Sequence, residues 1–333
     1  MARIGLVLGA GGIAGQAYQA GVLAALEADL GWDARTADLI VGTSAGSITG
    51  TLLRGRVSAR DLAAWTTRAP LSVEGQLLED LFGHEYPELE PFRVTQVLRR
   101  PSLPGPALVR RLLLRPWQPP GVGLLLTLLA PGRTDISQFL EPLQAVESSG
   151  WQDGNLWICA VRRRDGRRVV FGRPGSPPAS LHLAVSASCA VPGYFAPVMI
   201  DGISYVDGGV HSPTNAAVLA RQDLDLVVVV SPMSGANGVP ADVAGVVRRH
   251  AGFRLGLELQ ALRAGGIDVL LFEPDTDVRA AMGNEWMSRE RVDDITRAAF
   301  ASARSKARHP EVRAAFRLGP IGGSERSVPP QSA

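Results

Sequence analysis

The sequence predicts an α/β fold, a mostly parallel sheet with helices on both of its faces. Segments typical of strands alternate with segments typical of helices from the N-terminus onward, which favours parallel strands joined by helical crossovers. Several strand segments are apolar throughout, as expected for strands that are covered on both faces. With 333 residues, 46% of them hydrophobic, the chain can bury one large α/β core or two smaller ones.

Two strand–helix units open the chain. Residues 3–9 (RIGLVLG) form an apolar run that predicts a buried strand, and residues 15–31 space Ala, Leu and Val as a helix does. Gly31 is the expected end of that helix. Residues 37–47 (ADLIVGTSAGS) predict a second strand followed by an abrupt turn, and residues 45–56 begin the next helix.

The later elements follow an irregular segment over residues 86–133 that is rich in Pro, Leu and Arg. Beyond it we expect a β-hairpin over 155–172 that turns at Asp165-Gly166, a helix within 181–195 that stops near Pro192, and strands at 203–206, 224–232 and 266–274. Helices dominate from residue 241 onward, and the residues after 320 predict a disordered tail.

Composition excludes several classes of protein. A charged fraction of 20% and a mean hydropathy of +0.09 exclude a disordered or fibrous chain. The net charge of +2 is too small to argue for a nucleic-acid partner. Cys159 and Cys189 lie in apolar contexts, which predicts buried thiols and a reducing compartment, although a disulfide between them stays open at this stage.

Neither an export signal nor a membrane span is predicted. The apolar run at the N-terminus breaks at Gly9, which is too early for the hydrophobic region of a signal peptide. The longest apolar stretch, residues 121–130, is about half as long as a bilayer crossing needs. We therefore expect a cytoplasmic protein that touches a membrane, if at all, only at the membrane surface.

A serine stands between two glycines where the second predicted strand ends, in Gly42-Thr43-Ser44-Ala45-Gly46. This Gly-x-Ser-x-Gly pattern is typical of a nucleophile elbow, a strand-to-helix turn so tight that only glycines fit beside the serine. The same short pattern also occurs in ordinary turns, so the catalytic interpretation needs support from the rest of the chain.

The glycine-rich stretch at residues 9–15 allows two interpretations. It satisfies the dinucleotide fingerprint G-x-G-x-x-A between a strand and a helix, but that fold needs an acidic residue at the end of the next strand. Here the strand ends in Thr43-Ser44, and Asp38 lies at its beginning. Alternatively, the backbone N–H groups of the loop bind the oxyanion of an acyl-transfer intermediate. The serine elbow on the neighbouring strand favours this second interpretation.

A nucleophilic serine needs a base. Of the five histidines, only His211 has a distinctive setting, in YVDGGVHSPTNAA. The same segment offers a carboxylate, because Asp207 follows the apolar stretch ISYV and precedes Gly208-Gly209. A plain turn is the alternative interpretation of that Asp-Gly-Gly.

Taken in order, these three motifs resemble the patatin-like phospholipase family. Residues 6–26 resemble its N-terminal strand, oxyanion loop and helix, and SASCAVPGYFAPV at 186–198 resembles the segment that precedes its catalytic aspartate. The resemblance covers roughly residues 4–235. It implies a three-layer α/β/α domain with a mostly parallel central sheet over residues 1–320, ahead of a tail at 321–333.

The resemblance also assigns roles. It implies a serine acyl hydrolase of the phospholipase A or lysophospholipase type, with Ser44 as nucleophile and Asp207 as general base. The backbone N–H groups of Gly11 and Gly12 would form the oxyanion hole, and neither a metal nor a cofactor is implied. The motif-supporting glycines are Gly9, Gly15, Gly42, Gly46, Gly208 and Gly209. The chain departs from the family at Ala14, where a basic residue is usual.

The substrate that the resemblance implies is a phospholipid or another acyl lipid. Residues 86–133 would then be a lid or interfacial insertion that touches the membrane, or else a subdomain packed on the main core. The sequence leaves open the lipid, the ester position, the acyl acceptor and the oligomeric state.

Three other functional classes fit the sequence less well. A conventional α/β-hydrolase with a Ser-Asp-His triad usually has several strands before its elbow, whereas one precedes it here. A dinucleotide-binding oxidoreductase lacks the expected acidic residue. A non-catalytic protein of the same fold is disfavoured because both Ser44 and Asp207 are present.

Overall fold

Helices pack on both faces of an eight-stranded, mostly parallel sheet in the computed structural model, which confirms the predicted fold class. The residues that the structure describes are 2–86, 113, 131–146, 151, 155–235 and 243–318. The strands are β1 Ile4–Leu8, β2 Leu39–Thr43, β3 Leu156–Arg162, β4 Arg167–Phe171, β5 Val198–Ile200, β6 Ile203–Asp207, β7 Leu226–Val230 and β8 Asp268–Phe272. The helices are α1 Gly12–Leu30, α2 Ala45–Arg54, α3 Ala59–Thr66, α4 Gln76–Phe82, α5 Ile136–Leu140, α6 Leu181–Cys189, α7 Val243–Ala264, α8 Thr276–Met282, α9 Val292–Ala307 and α10 Pro310–Leu318.

The sheet is parallel at its centre. Its strand order is β5-β6-β3-β2-β1-β7-β8, and β4 pairs with β3 outside that path. β1 pairs in parallel with β2 on one side and with β7 on the other. The two neighbours of β1 are buried along their whole length, and they are apolar except for Thr43 at the end of β2. This double burial is why their sequences show continuous apolar runs rather than alternation.

Successive side chains of these strands enter two separate cores. In β1, Leu6 and Leu8 belong to the core beneath α1, whereas Val7 belongs to the core on the opposite face. The first core is covered by α1, α6 and α9, and the second by α7. α1 ends at Gly31 in a left-handed conformation with φ 68°, as the sequence predicted.

The antiparallel part of the sheet brings two strand ends together. β2 runs parallel to β3 and ends with Thr43 opposite Cys159. β6 runs antiparallel to β3 and ends with Asp207 opposite Ala160. Because β4 pairs with the other edge of β3, β2 and β6 share one edge and approach each other end to end. The residue after Thr43 and the residue that closes β6 therefore become neighbours.

Most of the predicted elements are present within the described residues. The hairpin of β3 and β4 turns where Asp165 accepts hydrogen bonds from Arg162, at 3.0 Å from Nε and 2.6 Å from Nη2. The helix predicted within 181–195 ends at Cys189, before Pro192. The short strand β5, which forms a hairpin with β6, was not predicted.

The structure bears on four further expectations from the sequence. Cys159 and Cys189 are both free and buried, so they form no disulfide. The proposed lid over 86–133 lies outside the described residues except for 86, 113 and 131–133, and the tail at 321–333 lies outside them entirely. Among the helices of the described residues, none combines the length and the hydropathy that a bilayer crossing requires.

Candidate active site

Ser44 occupies a strained turn between β2 and α2. Its backbone has φ 52° and ψ −121°, a conformation that a non-glycine residue rarely adopts. A Cβ at position 46 would lie 2.0 Å from the carbonyl oxygen of Leu8, and one at position 42 would lie 2.5 Å from the Cα of Ser47. Only glycines fit on either side of this serine, which is the geometry expected of a nucleophile elbow.

Hydrogen bonds from two other serines hold the elbow in place. The Oγ of Ser188 accepts from the backbone N–H of Ser44 at 2.9 Å and donates to the carbonyl of Cys159 at 2.7 Å. Ser47 donates from its backbone N–H and from its hydroxyl to the carbonyl of Ser44, each at 2.7 Å. These contacts leave the Ser44 hydroxyl free to reach another partner.

That partner is Asp207. The Ser44 hydroxyl lies close enough to the Asp207 carboxyl group to act on its pKa, and the N–H of Gly209 donates to Oδ1 at 2.6 Å. Asp207 is 4% exposed, and this burial raises the pKa of its carboxyl group to about 7, although the Ser44 hydroxyl and the N–H of Gly209 both act to lower it. Since the pKa lies close to neutrality, the carboxylate can take up a proton and release it again near pH 7.

Asn215 joins the two strand ends that carry these side chains. Its buried amide donates to the Oγ1 of Thr43 at 3.1 Å and to the carbonyl of Gly208 at 3.2 Å. The backbone of Asn215 is left-handed, with φ 54°, a conformation that asparagine tolerates better than most residues. Asn215 therefore fixes the position of Asp207 relative to Ser44, a role that the sequence did not reveal.

His211, the competing base, faces other neighbours. Within the described residues, no hydrogen bond joins its ring to Ser44 or Asp207. Burial lowers the pKa of His211 to about 4, together with the positive charges of Arg168 and Arg254. The imidazole is therefore neutral near pH 7 and lies beside two cations rather than beside the carboxylate.

The glycine-rich loop places its N–H groups at the same edge of the sheet. The N–H of Gly9 donates to Val230 at 2.9 Å, and the N–H of Ala10 donates to Pro213 at 2.8 Å. In contrast, no described residue accepts from the N–H of Gly11 or Gly12. A pair of backbone donors without protein acceptors, next to a serine elbow, is suited to bind an oxyanion.

Three residues that the sequence analysis missed support this loop. The buried amide of Gln19 donates to the carbonyl of Gly9 at 2.6 Å and accepts from the Thr49 hydroxyl at 2.7 Å. The carbonyl of Trp286 accepts from the N–H of Ala14 at 3.0 Å. Arg248 donates to the carbonyl of Pro232 at 2.8 Å and lies over the Trp286 ring, 5.7 Å from its centroid.

Ala14, at the position where a basic residue is usual in the family, is buried. Ala14 is 1% exposed and packs in the core beneath α1. A small side chain occupies this position, so a long basic residue would have to displace its neighbours. The oxyanion donors themselves are backbone groups and do not depend on the side chain at position 14.

The structure places Asp38 away from the glycine-rich loop. Asp38, the acidic residue at the beginning of the second strand, accepts from the N–H of Ile4 at 2.6 Å. It therefore lies at the start of β1, at the opposite edge of the sheet from the glycine loop. In the parts of the chain that the structure describes, no three His, Cys, Asp or Glu residues cluster as a metal site would require.

Comparison with known proteins adds one family and two solved structures. A family model described as patatin-like phospholipase matches residues 6–220, more than half of the chain. The structure of VipD from Legionella pneumophila is 13% identical, with a TM-score of 0.41, and the match covers 92% of this chain and 66% of that one. The structure of the type III effector protein ExoU is 16% identical, with a TM-score of 0.34, and the match covers 91% of this chain and 52% of that one. The chain thus spans about two thirds of VipD and about half of ExoU.

Proposed function

The chain belongs to the patatin-like phospholipase family, and we propose that it cleaves acyl lipid esters with a dyad of Ser44 and Asp207. The family fits a hydrolase that acts on ester bonds of lipids. The observation that carries the dyad is that β2 and β6 end side by side on β3, opposite Cys159 and Ala160, so that the strained Ser44 elbow meets the buried Asp207 carboxyl group.

In the first half of the proposed reaction, Asp207 accepts the proton of the Ser44 hydroxyl as Oγ attacks the ester carbonyl. The carbonyl oxygen becomes an oxyanion, which the N–H groups of Gly11 and Gly12 stabilise. When the tetrahedral intermediate collapses, the C–O bond to the leaving alcohol breaks and the proton passes from Asp207 to that alcohol. The acyl group remains on Ser44 as an ester.

In the second half, a water molecule gives its proton to Asp207 and attacks the acyl-enzyme. Collapse of the second intermediate releases the fatty acid, and the proton returns to Ser44. No third residue is required to orient the base, because a carboxylate has no tautomer to fix, unlike a triad histidine. None of these steps uses a metal ion or a cofactor.

The substrate class that we propose is a phospholipid or lysophospholipid, cleaved in the manner of a phospholipase A or a lysophospholipase. Such a substrate lies in a bilayer or micelle, so the protein would act at a lipid surface from the cytoplasmic side. The conventional α/β-hydrolase mechanism is less well supported, since His211 lies beside Arg168 and Arg254 rather than beside Asp207.

Replacing Ser44 by Ala tests the nucleophile. We expect Ser44→Ala to abolish turnover of short p-nitrophenyl esters and of phospholipids, because no acyl-enzyme can form. A fluorophosphonate should label the wild type at Ser44 and leave the variant unlabelled. Ser186→Ala is the matched control, because Ser186 is also buried and donates to the carbonyl of His182 within its own helix, and the variant keeps Ser44 for labelling. A Ser44→Ala protein that keeps most of its esterase activity would exclude the elbow as the catalytic centre.

A further inference from the structure

The long helix α7 exposes a stripe of large apolar side chains. Val246, Phe253 and Leu257 are 55%, 66% and 45% exposed. Their spacing of seven and four residues places them on one face of the helix. The opposite face is buried, because Leu255, Leu259 and Leu262 belong to the second core of the sheet. α7 is therefore apolar on both sides, and only one of them packs against protein among the described residues.

The charged side chains that α7 itself places beside this stripe are positive. Arg249 and Arg263 are exposed and Arg254 is half-buried. The one carboxylate in α7 is that of Glu258, which is 4% exposed. It accepts from the Thr214 hydroxyl at 2.6 Å and from the N–H of Ala216 at 2.9 Å, so it faces inward. The outward face thus combines apolar side chains with cations and carries no anion of its own.

This face begins at the edge of the sheet that holds the dyad. Arg248, in the second turn of α7, donates to the carbonyl of Pro232 at 2.8 Å. Pro232 in turn packs on the oxyanion loop, since a Cβ at Gly11 would lie 2.9 Å from its Cβ. A helix rises about 1.5 Å per residue, so the stripe extends roughly 13 Å from Arg248 to Leu257. Its first turns lie beside the loop, and the rest runs along the side of the molecule.

We propose that the outward face of α7, with Val246, Phe253, Leu257 and the flanking arginines, docks on the surface of an anionic phospholipid bilayer. Apolar side chains of such a helix enter the boundary between head groups and acyl chains, and arginines pair with anionic head groups. A second copy of the chain fits this face less well, because a two-fold contact would bring the same cations together. This inference rests on the proposed lipid hydrolysis in one respect, because docking would serve to hold the dyad at its lipid substrate.

Vesicle binding tests the apolar stripe directly. Binding is measured by co-sedimentation in a Ser44→Ala background, so that hydrolysis does not alter the vesicles of phosphatidylcholine and phosphatidylglycerol. Burial of one large apolar side chain changes an equilibrium by roughly tenfold or more. We expect Phe253→Ser with Leu257→Ser to weaken binding by at least about that factor. Val73→Ser is the matched control, since Val73 is 83% exposed and lies next to α3, which packs on α1 at the other face of the sheet.

The arginines give a second, independent measurement. Each arginine near an anionic membrane contributes about 1 kcal/mol, or about fivefold in binding. Arg249→Gln with Arg263→Gln should therefore weaken binding to anionic vesicles and leave the weaker binding to pure phosphatidylcholine almost unchanged. Wild-type binding that does not depend on the anionic lipid would overturn the proposed role of these side chains.

A fluorescent label reports whether α7 itself meets the lipid. Cys159 and Cys189 are buried, so an environment-sensitive dye can be attached selectively to a cysteine introduced by His250→Cys, at an exposed position beside the stripe. We expect a blue shift on anionic vesicles, and none for the same dye at Val73→Cys. Equal responses at both positions, or stripe variants that bind vesicles like the wild type, would refute the proposal. Variants of the stripe that dissociate a dimer, as measured by light scattering, but still bind vesicles would also refute the proposal.

Failure of this proposal is distinguishable from failure of the proposed function. Soluble p-nitrophenyl esters do not require a membrane, so the stripe variants should turn them over at the wild-type rate while losing activity on vesicles. A protein that binds vesicles through α7 but hydrolyses no ester would contradict the dyad and leave the docking surface standing.

Discussion

At the residue scale, the site depends on one serine held in an unfavourable backbone conformation. A non-glycine residue with φ 52° and ψ −121° costs about 1–3 kcal/mol relative to a relaxed backbone. It persists here because its neighbours leave no alternative. Ser188 binds its N–H, Ser47 binds its carbonyl, and the glycines at 42 and 46 admit no side chain. The strain keeps Oγ directed towards Asp207 instead of towards the helix that follows.

The pKa of Asp207 predicts a pH dependence of catalysis. Burial raises this pKa to about 7, and only the ionised carboxylate can accept the serine proton. We therefore expect kcat/KM on a soluble ester to rise with pH through about 7 and then to level off. Asp207→Asn should lower the rate by about 10²–10⁴-fold, the usual worth of a general base, and should abolish the rising limb. Rates measured from about pH 5 to about pH 9 test both expectations.

His211→Ala is the control for that experiment. Because the imidazole lies near Arg168 and Arg254, its loss should leave both a substantial fraction of the activity and the rising limb in place. Thermal melts recorded beside the rates separate lost catalysis from unfolding. A well-folded His211→Ala protein as inactive as Ser44→Ala would replace the dyad with a histidine mechanism.

The sequence predicts the residues of the site that lie in short local motifs. Ser44 and Asp207 are each followed or flanked by glycines whose role can be inferred from their neighbours in the chain. Ser188, Asn215 and Gln19 could not be found in this way. Each acts through a partner more than six residues away, as when Ser188 binds a residue 144 positions before it. Only the tertiary fold creates these contacts, so no local pattern marks them.

At the element scale, periodicity predicts individual helices and strands better than their pairing. The apolar runs of β1, β2 and β7 identify them as buried strands, and α1 ends at the predicted glycine. Nothing in the sequence shows that β2 and β6 share one edge of β3. That arrangement depends on long-range pairing, yet it is the arrangement that makes neighbours of Ser44 and Asp207.

Helix α6 offers a test of how one element positions another. Ser188 and Ser186 both lie on α6 and are both fully buried. Ser188 bridges Ser44 to β3, whereas Ser186 donates to the carbonyl of His182, one turn earlier in the same helix, at 2.6 Å. We expect Ser188→Ala to lower kcat by about tenfold or more with little change in KM, because the N–H of Ser44 loses its acceptor.

Ser186→Ala removes a hydroxyl of the same size from the same helix and should leave kcat close to the wild-type value. Ser188→Thr, which retains the hydroxyl, should recover part of the lost rate if the protein folds as the wild type does. Equal losses in the two alanine variants would mean that Ser188 contributes to packing and not to the position of the nucleophile.

At the scale of the whole molecule, the two faces of the sheet are covered differently. α1, α6 and α9 cover the first core, while α7 covers much of the second and leaves an apolar stripe exposed. The sequence of α7 alone could not reveal this. Four leucines and one phenylalanine occur on both faces of α7, and only the folded structure separates those that pack against the sheet from those that face outward.

The buried Asp207 lowers the stability of the whole molecule. Its pKa is raised in the folded state from 3.8 to about 7, so the unfolded chain ionises first as the pH rises. The folded state therefore loses stability between those two values and carries the full cost above pH 7. A shift of that size corresponds to roughly 4 kcal/mol at most. Asp207→Asn removes the buried charge and should melt several degrees above the wild type at about pH 8.

This advantage of Asp207→Asn should shrink as the pH falls and be small at about pH 4, where the folded carboxyl group is protonated and the unfolded one is only about half ionised. Asp165→Asn is the control, and we expect it to change the melting temperature in the opposite direction. Burial acts to raise the pKa of Asp165, but hydrogen bonds from Arg162 and the N–H of Arg167 hold it below its ordinary value. Its carboxylate therefore stabilises the fold above the unfolded pKa, and Asp165→Asn should melt below the wild type at about pH 8. If Asp207→Asn and the wild type differ in melting temperature by the same amount at both pH values, the Asp207 carboxyl group titrates normally. The proposed general base would then lose its physical support.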